Sequence, residues 1–219
     1  MVATDTRHPA AAGSIGRTGR AAHHPTHGRI GPNAITRIAQ ALREEIGDAA
    51  TRAVFARAAL DAYLDTPPLE RVDEAEVRRL HGVMGEAIGT VRAAGVAREA
   101  GTLTGDYLLA KRIPAPAQAV LRRLPAALAE RLLLAAVGRH AWTFAGSGRF
   151  AATPGAPSVV EIADNPLCRG VVADAPACHY HAATFERLWR TLVSPSVRVV
   201  ETACCACGAP ACRFVLHLS

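Results

Sequence analysis

The residues of this chain that are best suited to chemistry are its cysteines, and all of them lie in its last third. They are Cys168, Cys178, Cys204, Cys205, Cys207 and Cys212. The start of the chain contains no apolar run that could serve as the core of a secretion signal, so we expect a reducing compartment. Thiols concentrated in this way, with carboxylates and imidazoles between them, favour a metal site over disulfide bonds.

The spacing of these residues suggests which of them meet. Cys204 ends a predicted strand and Cys212 begins the next, so the loop between them brings the two sulfurs together, and Glu201 lies just upstream. Cys178 is predicted in the first turn of a helix, where the helix dipole favours a thiolate. Three sulfurs and one carboxylate suit zinc, and four protein ligands leave no open position, so the predicted site is structural.

Other uses of the cysteines remain open at this point. Cys204 and Cys207 form a CxxC motif, so Cys207 is an alternative to Glu201 as the fourth ligand. The same motif could act as a redox dithiol, although it lies on a hairpin and not at the start of a helix. An iron–sulfur cluster and a set of buried thiols without metal are the remaining alternatives.

The first two thirds of the chain are predicted to be helical. Residues 1–31 lack periodic apolar positions and are predicted to form a disordered tail. Residues 32–141 carry apolar side chains at helical spacing, beginning with Ile35, Ile38 and Leu42. Three glycines inside the predicted third helix suggest a close helix approach, and they are Gly82, Gly85 and Gly89.

The last part, residues 142–219, is predicted to be an α+β unit. Short segments rich in β-formers, bounded by Gly, Pro or Asn, lie at 142–150, 158–163, 197–204 and 212–218. One amphipathic helix interrupts them, carrying Phe185, Leu188 and Trp189 on one face. Because the turns are short, we expect an antiparallel sheet against which the helical N-terminal half packs.

Charge and hydropathy limit the classes of partner. The net charge of +6 comes from 25 basic and 19 acidic residues, an excess too modest to predict nucleic-acid binding. No apolar segment approaches the roughly 20 residues that span a bilayer. We therefore expect a cytoplasmic protein.

Several motifs resemble those of the vinyl-4-reductase (4-vinyl reductase) domain family. They are DNPLCRG at 164–170, CHY at 178–180, ETACCACG at 201–208 and CRF at 212–214. The segments TGDYLLAKRIP at 104–114 and HAWTFAGSG at 140–148 are similar to the version of the family found in bacteriochlorophyll biosynthesis. The resemblance covers about residues 32 to 218 and leaves only the tail outside.

The resemblance implies a fold like that of the vesicle-tethering TRAPP subunits and of the sensor domains of phenol-responsive activators, which are commonly dimeric. It also implies a zinc site with Glu-x2-Cys-x7-Cys spacing, which Glu201, Cys204 and Cys212 reproduce, while Cys178 stands in the place of the first cysteine. On this ground the set with Glu201 is preferred to the set with Cys207. The extra thiols of Cys205 and Cys207 depart from the simplest pattern.

The function implied by the resemblance is reduction of the ring-B (4-)vinyl group of divinyl protochlorophyllide or chlorophyllide. An enzyme would need NADPH or another reductant for this step. The glycine-rich stretch 13–19 follows no strand, so the sequence predicts no dinucleotide loop. We therefore favour a pigment-binding accessory or carrier that serves other enzymes of bacteriochlorophyll synthesis, with the reductase itself as the alternative. Its arginine-rich surface could then rest on the photosynthetic membrane.

A tetrapyrrole pocket should be wide and apolar with a few polar anchors. The candidate residues are Trp142, Phe144 and Tyr180 for the walls, Arg112 or Arg169 for a propionate, and His140, His179 or His181 as axial ligand to magnesium. An ordinary core, surface or hydrogen-bonded role is the alternative for each of them.

Overall fold

The computed structural model describes residues 28–218, of which the first two thirds are mainly helical. The helices are α1 (Asn33–Arg57), α2 (Ala62–Asp65), α3 (Glu74–Ile88), α4 (Thr90–Lys111), α5 (Ala115–Leu121), α6 (Ala126–Arg139) and α7 (His179–Leu192). The strands are β1 (Arg29–Ile30), β2 (Val72–Asp73), β3 (Arg149–Thr153), β4 (Ser158–Ala163), β5 (Arg198–Ala203) and β6 (Ala211–His217). Within residues 28–218, no helix has the length and apolarity needed to cross a bilayer.

The helical boundaries follow local sequence signals. In α1 the periodic residues Ile35, Ile38 and Leu42 are buried, and Gly47, with φ of 80°, interrupts the helical backbone where the sequence predicts a stop. The Asp73 side chain caps α3 by accepting a hydrogen bond of 2.8 Å from the N–H of Ala75. The single helix expected after Pro116 is instead two, α5 and α6, because Pro125 stands at the start of α6.

The sheet is antiparallel with strand order β3-β4-β6-β5, which confirms the α+β class. Alternate residues of β4 are buried, namely Ser158, Val160 and Ile162, as one covered face requires. The strand predicted at 142–150 was wrong in its position. A turn of 3-10 helix occupies Ala141–Thr143, and β3 begins only at Arg149.

Helix α7 joins two hydrophobic cores. Its Tyr180 belongs to the core formed by α1, α3 and α4, whereas its Phe185 and Trp189 pack into the core beneath the sheet. The close approach of α4 to α7 depends on Gly101, since a Cβ there would lie 2.3 Å from the carbonyl oxygen of Tyr180. The glycines predicted to have this role, in α3, do not have it, because no atom lies near the Cβ position of Gly82 or of Gly85.

The predicted tail ends earlier than the sequence suggested. Residues 1–27 lie outside the described part of the chain, but Arg29 and Ile30 pair with β2, and Ile30 is buried in the helical core. The N–H of Gly31 then donates to the carbonyl of Thr143, which fixes this segment against the chain between α6 and β3. The start of the described chain is therefore part of the fold.

Candidate metal centre and ligand cavity

Four buried thiols meet where β5 turns into β6. Cys204 follows β5, Cys212 lies in β6, Cys178 immediately precedes α7, and Cys168 ends the 3-10 turn Pro166–Cys168. All six Sγ–Sγ distances among them lie between 3.3 and 4.0 Å. Three separate chain segments thus supply one compact set of sulfurs.

The size of this set fits a single zinc ion. A tetrahedral ion with Zn–S bonds of about 2.3 Å requires sulfurs roughly 3.8 Å apart, which the six distances match. An iron–sulfur cluster would need its cysteines further apart, because several atoms would lie between them. The geometry therefore favours one four-coordinate ion with no open position.

Hydrogen-bond donors around the sulfurs favour their ionised form. The buried Asn165 amide donates to the sulfurs of Cys178 and Cys212, each at 3.4 Å, and the N–H of Cys205 donates to Cys212 at 3.3 Å. A hydrogen bond with the neighbouring Cys178 thiol lowers the pKa of Cys204 to about 5. Deprotonated thiols are the form that binds metal.

Glu201 lies beside this set but does not belong to it. Its Oε2 accepts a 2.7 Å hydrogen bond from the N–H of Cys178, a donor at the start of α7 that has no helical partner. Burial raises the pKa of the Glu201 carboxyl to about 8. Of the predicted ligands, the structure brings together Cys178, Cys204 and Cys212, and Cys168 supplies the fourth sulfur in place of the carboxylate. The alternative Cys207 is exposed and outside the set.

A cavity of about 760 Å³ lies between the helical half and α7. Its walls are mainly apolar and include Ile30, Leu108, Ile113, Leu133, Val137, Phe144, Leu167, Phe185 and Leu188. The polar groups on the wall include Thr104, Tyr107, Tyr180, His181 and Thr184. This volume and this composition are typical of a site for a sizeable organic ligand.

The exposed residues that line the cavity mark its mouth. Arg29, Leu69, Arg71, Arg112, His140, Trp142 and Glu70 all line the cavity and are exposed. The guanidinium carbon of Arg71 lies 4.7 Å from the centre of the Trp142 ring, a cation–π contact. The mouth is thus predominantly basic, with Trp142 and Leu69 as its exposed apolar members.

The structure brings most of the predicted pigment residues to this cavity. His140, Trp142, Phe144 and Tyr180 line it, as do the alternatives Arg112 and His181. The other two predicted residues, Arg169 and His179, are not among its lining residues.

The position of Arg169 has a physical explanation. Its guanidinium pairs with Glu74 at 2.6 Å and with Asp164 at 2.9 Å, and the Glu74 side chain is only 7% exposed. The same carboxylate accepts hydrogen bonds from the backbone N–H and the hydroxyl of Ser147. Arg169 therefore neutralises a buried charge that holds three segments together, a role in the fold and not at the cavity.

Comparison with known proteins was informative at two levels. The 4-vinyl reductase domain matches residues 158–218. The bacteriochlorophyll synthase 23 kDa chain of Cereibacter sphaeroides is 47% identical over 188 residues, covering 86% of this chain and 90% of the relative. The protein of the same name from Rhodobacter capsulatus is 42% identical over 189 residues, covering 86% and 87%. The chain belongs to the bacteriochlorophyll synthase 23 kDa chain family.

Solved structures share the fold at low sequence identity. A structure from a study of heme distortion in the H-NOX family aligns with a TM-score of 0.57 at 14% identity, covering 87% of this chain and 95% of the other. An H-NOX protein from S. oneidensis in the Fe(II)NO ligation state aligns with a TM-score of 0.52 at 10% identity, covering 87% and 99%. The 23 kDa chain family thus has an H-NOX-like fold in this member.

The matched domain contains all four clustered thiols, whereas much of the cavity wall comes from helices that precede it. Sequence reasoning missed Cys168 as a member of the set, although it lies in the family motif at 164–170, because its ten-residue separation from Cys178 follows no ligand spacing. It also missed Arg71, whose place at the cavity mouth depends on the β1–β2 pairing. No local sequence signal distinguishes Arg71 from other exposed arginines.

Proposed function

We propose that this protein binds a chlorophyllide-type tetrapyrrole in the cavity and presents it for reduction of the ring-B vinyl group, acting as an accessory or carrier in bacteriochlorophyll biosynthesis. The observation that carries the proposal is the apolar cavity of about 760 Å³ with a basic mouth. The membership of the bacteriochlorophyll synthase 23 kDa chain family supports a role in that pathway.

The lining of the cavity suits the chemistry of such a pigment. Aliphatic and aromatic walls match the faces of a macrocycle, and burying them releases water from a large apolar surface. Arg112 and Arg71 lie at the mouth, where a propionate would remain near solvent and form charge-assisted hydrogen bonds. The H-NOX structures with the same fold concern heme, itself a tetrapyrrole, which supports this class of ligand.

Two of the predicted axial ligands remain candidates. His181 is buried, and burial lowers its pKa to about 4, so its imidazole is neutral at physiological pH, as metal coordination requires. His140 is exposed at the mouth and lines the same cavity. In either case the residue would supply one nitrogen to the magnesium of the bound pigment.

The experiment is a titration of purified protein of known zinc content with divinyl protochlorophyllide, with and without NADPH. The carrier proposal predicts a saturable spectral shift without turnover. Conversion to the monovinyl pigment by this chain and NADPH alone would establish the alternative, the 4-vinyl reductase. Absence of any saturable shift would contradict both.

A pair of adjacent substitutions locates the binding site. Ala136 lines the cavity, whereas Ala135, its neighbour on α6, is exposed and does not. We expect Ala136→Trp to fill part of the cavity and to weaken pigment binding at least tenfold, about 1.4 kcal/mol. Ala135→Trp should bind as the unchanged protein does, and equal weakening by both variants would contradict the assignment of the cavity.

We also propose that Cys168, Cys178, Cys204 and Cys212 hold a structural zinc ion. The support is the match of their six sulfur separations to one tetrahedral ion, together with the N–H donors aimed at the sulfurs. The ion would supply no chemistry to the pigment, since four thiolates leave it without an open position. Its effect would be to tie the β5–β6 turn to the start of α7.

The partners follow from a carrier role. The relatives are named as a chain of a bacteriochlorophyll synthase, which supports contact with other enzymes of that synthesis. A carrier must release its pigment to such an enzyme, so pigment transfer should accelerate when the acceptor enzyme is added. The predicted homodimer remains a prediction that sedimentation of the purified chain would test.

A further inference from the structure

The helices α5 and α6 form a hairpin whose two ends both border the cavity mouth. Arg112 stands just before α5 and His140 just after α6, and both line the cavity. One face of α6 also lines the cavity, through Leu133, Ala136 and Val137. The hairpin is therefore one wall of the cavity, with its other surface free.

The free surface of this hairpin carries cations without matching acids. Between residues 107 and 160 the chain has seven basic residues, which are Lys111, Arg112, Arg122, Arg123, Arg131, Arg139 and Arg149, and all are exposed. The single carboxylate in that stretch, Glu130, is buried. None of the seven forms an ion pair with a carboxylate of residues 28–218, whereas several arginines elsewhere do.

Exposed aliphatic side chains lie among these cations. Leu128 and Leu132, one helical turn apart on α6, are 45% and 47% exposed, and Val120 on α5 is 56% exposed. Arg131 and Arg139 are exposed on the same helix. At the mouth, Trp142 is 52% exposed and lies against Arg71. Apolar side chains flanked by arginine, with tryptophan beside them, are typical of surfaces that lie in a membrane interface.

We infer that the outer face of the α5–α6 hairpin docks on an anionic lipid bilayer and brings the cavity mouth to the membrane surface. Charge complementarity supports lipid, since anionic headgroups supply the acids that the hairpin lacks. Leu128, Leu132 and Val120 favour a bilayer over a nucleic acid, because a phosphate backbone offers them no apolar environment. The part of the inference that concerns pigment entry from the membrane rests on the function proposed above.

The test is flotation of the purified full chain with vesicles in the absence of pigment. We expect binding to vesicles of phosphatidylcholine with about a third phosphatidylglycerol, weak binding to pure phosphatidylcholine, and loss of binding as salt is raised, because exposed charges are screened. Neutralising one arginine at a membrane surface should cost about fivefold in partitioning. The double variant Arg131→Gln/Arg139→Gln should therefore partition about 25-fold less.

Two further variants separate the components of the surface. Leu128→Ser/Leu132→Ser should weaken partitioning while leaving its salt dependence unchanged. Arg198→Gln removes an exposed arginine from β5, away from the hairpin, and should partition like the unchanged protein. Circular dichroism and zinc content would verify that each variant is folded.

Several outcomes would overturn the inference. These are equal binding to charged and uncharged vesicles, no binding to either, loss of binding in the Arg198 variant equal to that in the hairpin variant, or a preference for duplex DNA over vesicles. A dimer that the hairpin variants dissociate, without vesicle binding, would assign the surface to a second copy. Pigment binding is measured separately, so that failure of either proposal leaves the other distinguishable.

Discussion

Cys168 and Glu201 compete for one place in the proposed zinc site. The family resemblance favours the carboxylate, while the geometry gives that place to the thiol and turns Glu201 to the N–H of Cys178. A thiolate at the fourth corner gives zinc four soft donors, and the carboxylate then stabilises the start of α7. The two residues should therefore differ sharply in what their loss does to metal retention.

We expect Cys168→Ser to lose most of its zinc in a mild chelator, whereas Glu201→Gln should keep about one equivalent. The reason is that serine removes a ligand, while glutamine leaves an oxygen able to accept from Cys178. Cys207→Ser is the control, since Cys207 is exposed and outside the four sulfurs. Zinc is measured by colorimetric release from washed protein. Full zinc in Cys168→Ser with loss in Glu201→Gln would support the set that includes the carboxylate.

At the scale of elements, the contact between α4 and α7 positions both candidate sites. Cys178 precedes α7, and the wall residues Tyr180 and Thr184 lie in its first half. Thr184 donates to the carbonyl of Gly101 at 3.0 Å, and the hydroxyls of Tyr180 and Thr104 lie 2.8 Å apart. A change in the distance between these helices would therefore move the cavity wall together with the start of α7.

Gly101→Ala should reduce the free energy of unfolding by about 2 kcal/mol, because the new methyl group meets the Tyr180 carbonyl at 2.3 Å and the helices must separate. Gly82→Ala is the matched control in another helix, where no atom lies within 4 Å of the Cβ position. It should be neutral or stabilising by up to about 1 kcal/mol. Urea unfolding measures both, and equal effects would show that the two glycines are alike in their packing.

The contrast between these glycines illustrates how far the sequence leads. Periodicity predicted α1 and α4, the Asp73 cap predicted the start of α3, and β-rich runs predicted β4 through β6. Those signals are local, so one sequence contains them. The position of Gly101 beneath α7, and of Cys168 beside Cys178, depends on how distant segments pack. Sequence spacing alone cannot express such contacts, and the predicted fourth ligand and close-approach glycines differed for this reason.

At the scale of the whole molecule, the two hydrophobic cores meet around Tyr180. The imidazoles of His81, on α3, and of His181 lie on either side of its ring, with centroids 6.3 and 5.6 Å away. Each of the two imidazoles has one buried nitrogen without a hydrogen-bond partner. Burial lowers the pKa of each to about 4. The junction between the cores is therefore stable only while both rings stay neutral.

This arrangement predicts a specific loss of stability in acid. An unfolded histidine has a pKa near 6.5, so between pH 6.5 and 4 the unfolded chain binds protons that the folded chain excludes, and the free energy of unfolding falls with pH. His81 alone should contribute roughly 2 kcal/mol of difference between pH 7 and pH 5. His81→Phe removes this contribution, and His217→Phe, at an exposed position, should not. Urea unfolding at both pH values with excess zinc gives the comparison, because metal loss then affects all three proteins alike. An unchanged pH dependence in His81→Phe would mean that His81 is protonated within the folded protein.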